Sequence, residues 1–402
     1  MTNQPLTMLG GLTAAQFMRH YWQKKPLLVR QAFPGLTPPV SAAALKSLSK
    51  RDDVQARLIW QEQGQWQLEH GPFGRLPGAK TPDWTLLVQS LDSHDDRASD
   101  LLHQFNFIPA ARLDDLMASI ASEGGGVGPH FDSYDVFLIQ AQGKRHWKCG
   151  QQDDLSLVEG LPLKILRHFK PQYDAVLEPG DMLYLPPHAA HDGISLSHDC
   201  MTLSVGFRAP DMATLAQGML EAAAEQIAAR EHGASSPMAD PPLPGASLAQ
   251  RFKDPGQPAV KESAQLPERL IQACVAAVNR LRFDDALAQR FLGCWLTEPN
   301  PLAVFEPAAD ASELAPGMHL TLDRRTRMLY RGQALFINGE LASVKATGFL
   351  KTLANDRQVL LTPKMVQKMP APVQACLLDW IDAGWVHLQE HITDLDYPVE
   401  PA

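Results

Sequence analysis

The chain has 402 residues, 45% of them hydrophobic, with 36 Lys and Arg against 45 Asp and Glu for a formal charge of −9. This length predicts two to four domains, and the composition is that of a globular protein in water. The acidic balance counts against a coat for nucleic acid, and no apolar run reaches the roughly 18 residues of a membrane span. The five cysteines are scattered and no signal-peptide pattern opens the chain, so we expect a cytoplasmic protein without disulfides.

The first half of the chain, residues 1–210, is predicted to be rich in short strands. A helix is expected to begin after Thr13, a favourable N-cap residue, and to carry Phe17, Tyr21 and Trp22 on one side. Short strands with Gly and Pro turns between them indicate a β-sandwich or barrel. The strand candidates are 27–29, 58–60, 135–141, 146–149 and 181–185.

The remainder is predicted to form two further domains. Residues 211–298 have helical composition and periodicity at 213–230, 268–281 and 284–296, interrupted by a segment at 233–259 that contains six prolines. Residues 299–402 mix short strands with helices, which favours a small winged-helix-like module. Its predicted elements are strands at 318–322, 327–330 and 385–388, a hairpin at 334–341 with Asn338-Gly339 at its turn, and helices at 343–354 and 372–383.

A metal-binding pattern lies in the strand-rich half. His130 and Asp132 are two residues apart, so an extended backbone directs both side chains to one point. A second histidine would complete the triad of two histidines and one carboxylate that holds Fe(II) and leaves positions open. Candidates follow a Pro-Gly-Asp turn and a short strand, where His188 and His191 compete. We favour His191, because Gly193 and a new strand follow it directly, and we expect His188 at the rim.

A candidate anion anchor lies on the strand after the first two ligands. Arg145 and Trp147 share one face of this strand, and Lys144 and His146 share the other. An inward-facing arginine can hold a carboxylate through two parallel hydrogen bonds, as a 2-oxoacid co-substrate requires. Without the metal motif, Arg145 would be interpreted as an ordinary surface cation and Trp147 as a core residue, and only that motif favours the anchor.

Together these motifs resemble the JmjC-type ribosomal oxygenases of the cupin superfamily. The resemblance rests on Gly-Pro-His-x-Asp, Tyr-Asp-Val-Phe, Gly-Lys-Arg-His-Trp, Pro-Gly-Asp-x-Leu-Tyr-Leu-Pro-Pro and His-Asp-Gly, on Tyr-Trp-Gln-Lys-Lys-Pro-Leu at 21–27 and on Ser-Val-Gly-Phe-Arg-Ala-Pro at 204–210. It is strongest for the bacterial branch, the arginine hydroxylases of large-subunit ribosomal protein L-sixteen. The implied fold is α+β: a double-stranded β-helix (JmjC/cupin jelly roll) at 1–210, a helical dimerisation region at 211–298 and a winged-helix-like domain at 299–402.

The resemblance also implies the chemistry and the partners. His130, Asp132 and His191 would hold Fe(II), with 2-oxoglutarate and O2 as co-substrates. Arg145 would bind the distal carboxylate of 2-oxoglutarate, with Ser119 and Thr202 as polar neighbours. Family members often have consecutive arginines where this chain has Lys144-Arg145-His146, so Lys144 stays open as the anchor. The substrate would be an arginine side chain of L-sixteen, and the enzyme would be a homodimer.

Several alternatives remain at this point. A histidyl hydroxylase of the same fold would share the triad, and a histone demethylase or a non-catalytic cupin with a nucleic-acid-binding winged helix is also conceivable. Residues 296–402 have nine basic and thirteen acidic residues, so we expect no direct nucleic-acid binding, although Arg324, Arg325, Arg327 and Arg331 form a local basic cluster. Candidates near the ligands for gripping the substrate are Tyr134, Asp135, Glu123 and Asp192, each of which has a structural or surface role as its competing interpretation.

Overall fold

A computed structural model describes residues 4–78, 81–232, 236, 238, 248, 250–307 and 313–389. The chain divides into two compact units, residues 1–209 with 300–304 and residues 210–299 with 305–402. The helical region and the C-terminal module thus fall in one unit, and the division into three domains stays a prediction. Most of the proline-rich segment 233–259 lies outside the described residues. Within the described part of the chain, no helix has the length and apolarity that a bilayer span needs.

The first unit is dominated by strands. Its helices are α1 (Ala14–His20), α2 (Ala42–Leu48) and α3 (Asp96–His103). Its strands are β1 (Leu27–Val29), β2 (Ala56–Glu62), β3 (Gln65–His70), β4 (Trp84–Val88), β5 (Leu113–Ala121), β6 (Val136–Gln142), β7 (Arg145–Gly150), β8 (Tyr173–Leu177), β9 (Met182–Leu185), β10 (Ala190–Ser195) and β11 (Cys200–Phe207).

These strands form the two sheets of a jelly roll. The larger sheet has the order β1-β9-β6-β11-β5-β4-β2-β3, and the smaller one the order β10-β7-β8. All of the pairs are antiparallel, and sequence-distant strands lie side by side. The expected double-stranded β-helix is therefore confirmed.

Local sequence explains how the first unit begins. The Thr13 side chain accepts a hydrogen bond from the Gln16 backbone N–H at 3.1 Å, and the Gln16 side chain accepts one from the Thr13 N–H at 2.8 Å. This capping box begins α1 where the sequence predicts it. The helix buries Phe17, whose ring lies 5.0 Å from that of Tyr184 in β9, and so packs the N-terminus against the larger sheet.

The second unit combines helices with two small sheets. Its helices are α4 (Met212–His232), α5 (Glu268–Val278), α6 (Asp285–Thr297), α7 (Gly348–Asp356), α8 (Pro363–Lys368) and α9 (Ala371–Asp382). Its strands are β12 (His319–Leu322), β13 (Met328–Arg331), β14 (Ala334–Ile337), β15 (Glu340–Leu341), β16 (Gln358–Leu360) and β17 (Val386–Gln389). The sheet orders are β16-β12-β17 and β13-β14-β15.

Most of the elements predicted for this unit are present. The hairpin of β14 and β15 turns at Asn338 and Gly339, both of which have positive φ. The helix predicted at 343–354 begins only at Gly348, because the backbone of Thr347 before it is extended; the Thr347 side chain makes no capping hydrogen bond. A buried core that includes Leu320, Leu350 and Leu377 joins the strands to α7 and α9.

Helix α5 is the exception to this packing. Within the described residues, none of its side chains is buried. Leu270, Ile271, Val275 and Val278 lie along one side at the helical spacing, and each is 43–56% exposed. Helix α5 therefore presents an apolar stripe that the described part of the chain does not cover.

Candidate active site

Three of the predicted ligands meet on the inner face of the smaller sheet. One candidate ligand atom from each of His130, Asp132 and His191 lies within 4.8 Å of the others. His191 is in β10, and His130 precedes β6 by several residues. Their backbones exchange two hydrogen bonds of 2.9 and 2.8 Å, in an isolated bridge rather than the regular strand that the sequence suggested. This bridge joins the early and late parts of the motif.

Both histidines are oriented for binding a metal. The Nδ1 atoms of His130 and His191 lie 2.8 and 2.9 Å from the carbonyl oxygens of Gly128 and Ala189. Carbonyls accept hydrogen bonds only, so each Nδ1 carries a proton and each Nε2 keeps its lone pair for a metal. Burial, and then the proximity of His130, lower the pKa of His191 to about 4. His191 is therefore neutral at pH 7, and its 3.7 Å approach to Asp132 is not an ion pair.

The glycines before His130 allow its loop to pass close to its neighbours. A Cβ on Gly126 would lie 2.8 Å from the Gly193 carbonyl oxygen of β10, and one on Gly128 would lie 2.6 Å from Ile165. Gly128 also has a positive φ of 76°, which disfavours other residues. The glycine run is thus explained by close packing beside the ligands.

Arg145 occupies the interior near the triad. It is 3% exposed, and among the described residues its Nε and Nη2 atoms have no hydrogen-bond partner. A buried guanidinium without an acceptor is costly, so its persistence indicates that an anion is expected beside it. The alternative anchor, Lys144, points to solvent, where its Nζ lies 2.6 Å from Glu178.

The spacing between the anchor and the metal ligands follows from strand register. In the β10–β7 pair, His191 lies opposite Cys149, Gly193 opposite Trp147, and Ser195 opposite Arg145. These alternate positions are all buried. At about 3.4 Å per residue, these three residue pairs, or rungs, span about 14 Å, with His191 at one end and Arg145 at the other.

The competing histidine is kept out of this cluster. His188 is exposed, and its ring lies 5.7 Å from that of Phe131. Its backbone N–H donates to the Asp132 carbonyl at 2.7 Å. His188 therefore lies at the rim and supports the backbone of one ligand.

Ser119 and Thr202 face each other on β5 and β11. Both are buried, and the Thr202 hydroxyl donates to the Gln140 Oε1 at 3.1 Å. Ser119 Oγ lies 3.4 Å from the Thr202 carbonyl oxygen. Their predicted place beside the co-substrate stays a prediction, while Thr202 has a defined partner in Gln140.

Gln140 is a residue that sequence reasoning missed. It is fully buried in β6, and its Nε2 lies 2.8 and 3.3 Å from the carbonyl oxygens of Gln142 and Gly143. The Cys200 thiol approaches the next carbonyl oxygen, that of Lys144, at 3.3 Å. Three successive carbonyls of the turn before Arg145 are thus bound by buried side chains. The available signal was a glutamine between apolar residues inside β6.

The four acidic and phenolic candidates near the ligands differ in their surroundings. Asp135 is fully buried, accepts from Tyr184 Oη at 2.6 Å and from Gln23 at 3.1 Å, and is structural. Glu123 is exposed and lies 3.9 Å from His198. Asp192 is half-buried, and burial raises its pKa. Tyr134 is 40% exposed.

Asp115 in β5 is a second residue that sequence reasoning missed. Its Oδ2 accepts hydrogen bonds from the Ser90 N–H at 2.8 Å and from Gln89 at 2.7 Å. Its Oδ1 and the Tyr134 ring lie 3.6 and 3.9 Å from the place a Cβ on Gly206 would take. Burial, and then the charge of Asp114, raise the pKa of Asp115. Only the fold brings β5 and Tyr134 together, so no local pattern signals this pair.

Family models match the chain in two places. A JmjC domain matches residues 100–215, and a ROXA-like winged helix matches residues 280–387. The first match covers the triad and Arg145, and the second covers most of the sheets of the second unit. The protein is a JmjC-type oxygenase that depends on 2-oxoglutarate, O2 and Fe(II).

Individual relatives agree with this class. The chain is 32% identical to the ribosomal protein uL16 3-hydroxylase of Escherichia coli, over 81% of this chain and 84% of the relative. It is 30% identical to a probable ribosomal oxygenase of Haemophilus influenzae, over 94% and 96% of the two chains. The E. coli ribosomal oxygenase YcfD in complex with cobalt and 2-oxoglutarate matches with a TM-score of 0.74 and 26% identity, over 94% of this chain and 98% of the other. The chain belongs to the ribosomal oxygenases of the JmjC type.

Proposed function

We propose that this oxygenase hydroxylates an arginine side chain of the large-subunit ribosomal protein L-sixteen, or uL16. The single observation that carries the co-substrate chemistry is the buried Arg145, whose two N–H groups lack acceptors among the described residues. The uL16 substrate is supported by the name of the E. coli relative. The arginine target is supported by the buried carboxylate of Asp115 and the nearby ring of Tyr134.

The residues of the triad fit a metal ion. Two histidines, each with Nδ1 held by a carbonyl, and one carboxylate form the facial donor set of Fe(II) oxygenases. We assign His130, Asp132 and His191 as the ligands. Bound Fe(II) supplies activation of O2 with oxidative decarboxylation of 2-oxoglutarate, which drives hydroxylation of an unactivated carbon.

The chain's own residues position the co-substrate. We assign Arg145 to the distal carboxylate of 2-oxoglutarate, which provides the acceptors that Nε and Nη2 lack. The guanidinium is buried on the inward face of β7, so co-substrate binding gains a pre-oriented cation. Burial of this site also excludes water from the reacting atoms.

An arginine substrate fits the polar groups beside the triad. Asp115 offers a buried carboxylate whose charge is disfavoured by burial, so a substrate guanidinium beside it would compensate that cost. The partly exposed Tyr134, two residues after Asp132, offers a ring face and a hydroxyl at the same place. We therefore assign Asp115 and Tyr134 to recognition of the substrate side chain.

The partners follow from charge and from the uncovered apolar stripe. A net charge of −9 complements a basic ribosomal protein and disfavours nucleic acid, and we propose the cytoplasm as the compartment of the reaction. The apolar stripe of α5 is the surface for a second copy of the chain, because it runs along the whole helix and is left exposed by the described residues. We thus propose a homodimer.

Mass spectrometry of uL16 tests the proposed reaction. The protein, Fe(II) and 2-oxoglutarate should add one oxygen atom to uL16, and fragmentation should place it on an arginine. Asp115→Asn should reduce this modification while leaving uncoupled turnover of 2-oxoglutarate in place. Addition of oxygen to a histidine would instead support the histidyl hydroxylase, and an unmodified uL16 would overturn the substrate.

A further inference from the structure

Trp147 has a buried polar atom that the proposed roles do not use. The residue is 6% exposed, and its indole Nε1 has no hydrogen-bond partner among the described residues. It lies two positions after Arg145 on the same inward face of β7. Strand β7 therefore directs three unpartnered N–H donors, Nε and Nη2 of Arg145 and Nε1 of Trp147, into one interior.

The Trp147 ring lies between the anchor and the metal ligands. Its centre is 5.7 Å from the Arg145 Cζ and 5.9 Å from the centre of the His191 ring. A co-substrate that extends from the triad to Arg145 must pass the middle residue pair, Gly193 and Trp147. The indole of Trp147 is thus placed to contact the co-substrate.

Gly193 fixes which edge of the indole is available. A Cβ on Gly193 would lie 2.6 to 2.8 Å from Cζ3, Cη2 and Cε3 of Trp147. These atoms form the ring edge farthest from Nε1, so the indole lies with that edge on the β10 backbone. Nε1 is on the opposite side of the ring, away from the strand that bears His191.

We propose that Trp147 binds the co-substrate, its indole N–H donating a hydrogen bond to the distal carboxylate of 2-oxoglutarate beside Arg145. This inference rests on the proposed role of Arg145. A carboxylate has about four acceptor sites, so two N–H groups of Arg145 leave room for a third donor. One carboxylate then accepts hydrogen bonds from Nε and Nη2 of Arg145 and from Nε1 of Trp147.

Trp84 provides a matched comparison. It is also buried, and its Nε1 also lacks a partner among the described residues. It lies in β4 of the larger sheet, within the main core cluster, whereas Trp147 belongs to a separate cluster between the sheets. An unpartnered indole N–H alone therefore does not indicate a ligand. Trp147 differs from Trp84 because it lies beside Arg145 on one face of β7, and N–H groups of both residues lack partners among the described residues.

Calorimetry on the full chain loaded with Mn(II), which does not turn over, tests the inference. Trp147→Phe keeps the ring and removes the N–H, and should weaken 2-oxoglutarate binding about tenfold. Trp84→Phe should bind like the wild type. Unchanged Mn(II) affinity and circular dichroism in both variants would show that the triad and the fold are intact.

Nuclear magnetic resonance of the Zn(II)-loaded protein reads the bond directly. The indole N–H signal missing in Trp147→Phe identifies the residue, and 2-oxoglutarate should move that signal downfield while the Trp84 signal stays. Wild-type binding by Trp147→Phe, or an unmoved Trp147 signal with ligand bound, would overturn this inference alone. Failure of the wild-type protein to bind 2-oxoglutarate, or undiminished binding by Arg145→Ala, would instead overturn the proposed function.

Discussion

The backbones of His130 and His191 exchange two hydrogen bonds although 61 positions separate them in the sequence, and their rings lie 4.2 Å apart. His191→Ala should remove the buried ligand and weaken Mn(II) binding by more than about a hundredfold, since even loss of an outer-shell partner costs ten- to a hundredfold. His188→Ala, the control at the rim, should keep near wild-type affinity. Both affinities can be measured by calorimetry, and the opposite ranking would make His188 the third ligand.

The anchor can be tested at two adjacent positions. Arg145→Ala removes the buried cation and should raise the KM for 2-oxoglutarate by about ten- to a hundredfold, because a charged hydrogen-bonded partner is lost. Lys144→Ala breaks only a solvent-exposed pair with Glu178 and should leave this KM unchanged. Steady-state turnover of 2-oxoglutarate measures both values. A larger effect at Lys144 would contradict the register of β7.

Gln140 should support the turn that precedes the anchor. Gln140→Leu leaves the carbonyls of Gln142 and Gly143 and the hydroxyl of Thr202 without their buried partner. The expected cost to the first unit is about 1–3 kcal/mol, seen as a lower thermal midpoint by circular dichroism. Gln142→Leu, at a partly exposed position on the same strand, is the control. Equal midpoints for wild type and Gln140→Leu would show that the network contributes little.

Asp181, the acid of the Pro-Gly-Asp turn, should confer stability that depends on pH. Burial opposes its ionisation, but hydrogen bonds from the backbone N–H groups of Gln31 and Glu178 and from Arg30 outweigh burial and lower its pKa. A lowered pKa gives stability that is present above about pH 4 and is lost as the pH falls through the lowered value.

Asp181→Asn should therefore lower the thermal midpoint at pH 7, and this difference from the wild type should shrink as the pH falls below about 4. Scanning calorimetry at a series of pH values measures both proteins. A difference that stays constant with pH would mean that the Asp181 charge is not involved.

The stripe on α5 predicts the oligomeric state. Val275→Asp places a charge in the middle of the apolar stripe and should convert the dimer to a monomer, because an unpaired buried charge costs several kcal/mol. Gln272→Glu, on the polar side of the same helix, adds the same charge and should stay dimeric. Light scattering after gel filtration measures the mass. A wild-type protein that is already monomeric would refute the dimer.

The sequence predicted single short elements better than the sheets to which they belong. Local signals located α1, β1, β7 and the hairpin at Asn338-Gly339, because capping residues, short apolar runs and turn residues act over a few positions. The sequence did not reveal β5 or β11, the central strands of the larger sheet. Their residues are buried on both faces, so they lack the alternation by which strands are recognised.

The surroundings of Gln140 and Asp115 could not be predicted for a related reason. Thr202, which bonds Gln140, and Tyr134, which lies near Asp115, are distant from these residues in the sequence and are brought to them by the fold. The other two partners of Gln140, the carbonyls of Gln142 and Gly143, lie in the adjacent turn. Arg145 could be predicted from the sequence because it lies in the motif Gly-Lys-Arg-His-Trp. Only the structure shows that this arginine is buried and that two of its N–H groups lack partners among the described residues.

The three rungs of the β10–β7 pair restrict how this site can change over evolutionary time. Side chains alternate between the two faces of a strand, so a shift of the anchor by one residue would turn it outward, and a shift by two would move it about 6.8 Å. The distance between the proposed anchor and the proposed metal ligand His191 therefore has no intermediate values on this strand. The strand pair allows this distance to change only in steps of two residues. Specificity for a diacid co-substrate of one length should therefore be retained, without gradual change toward shorter or longer diacids.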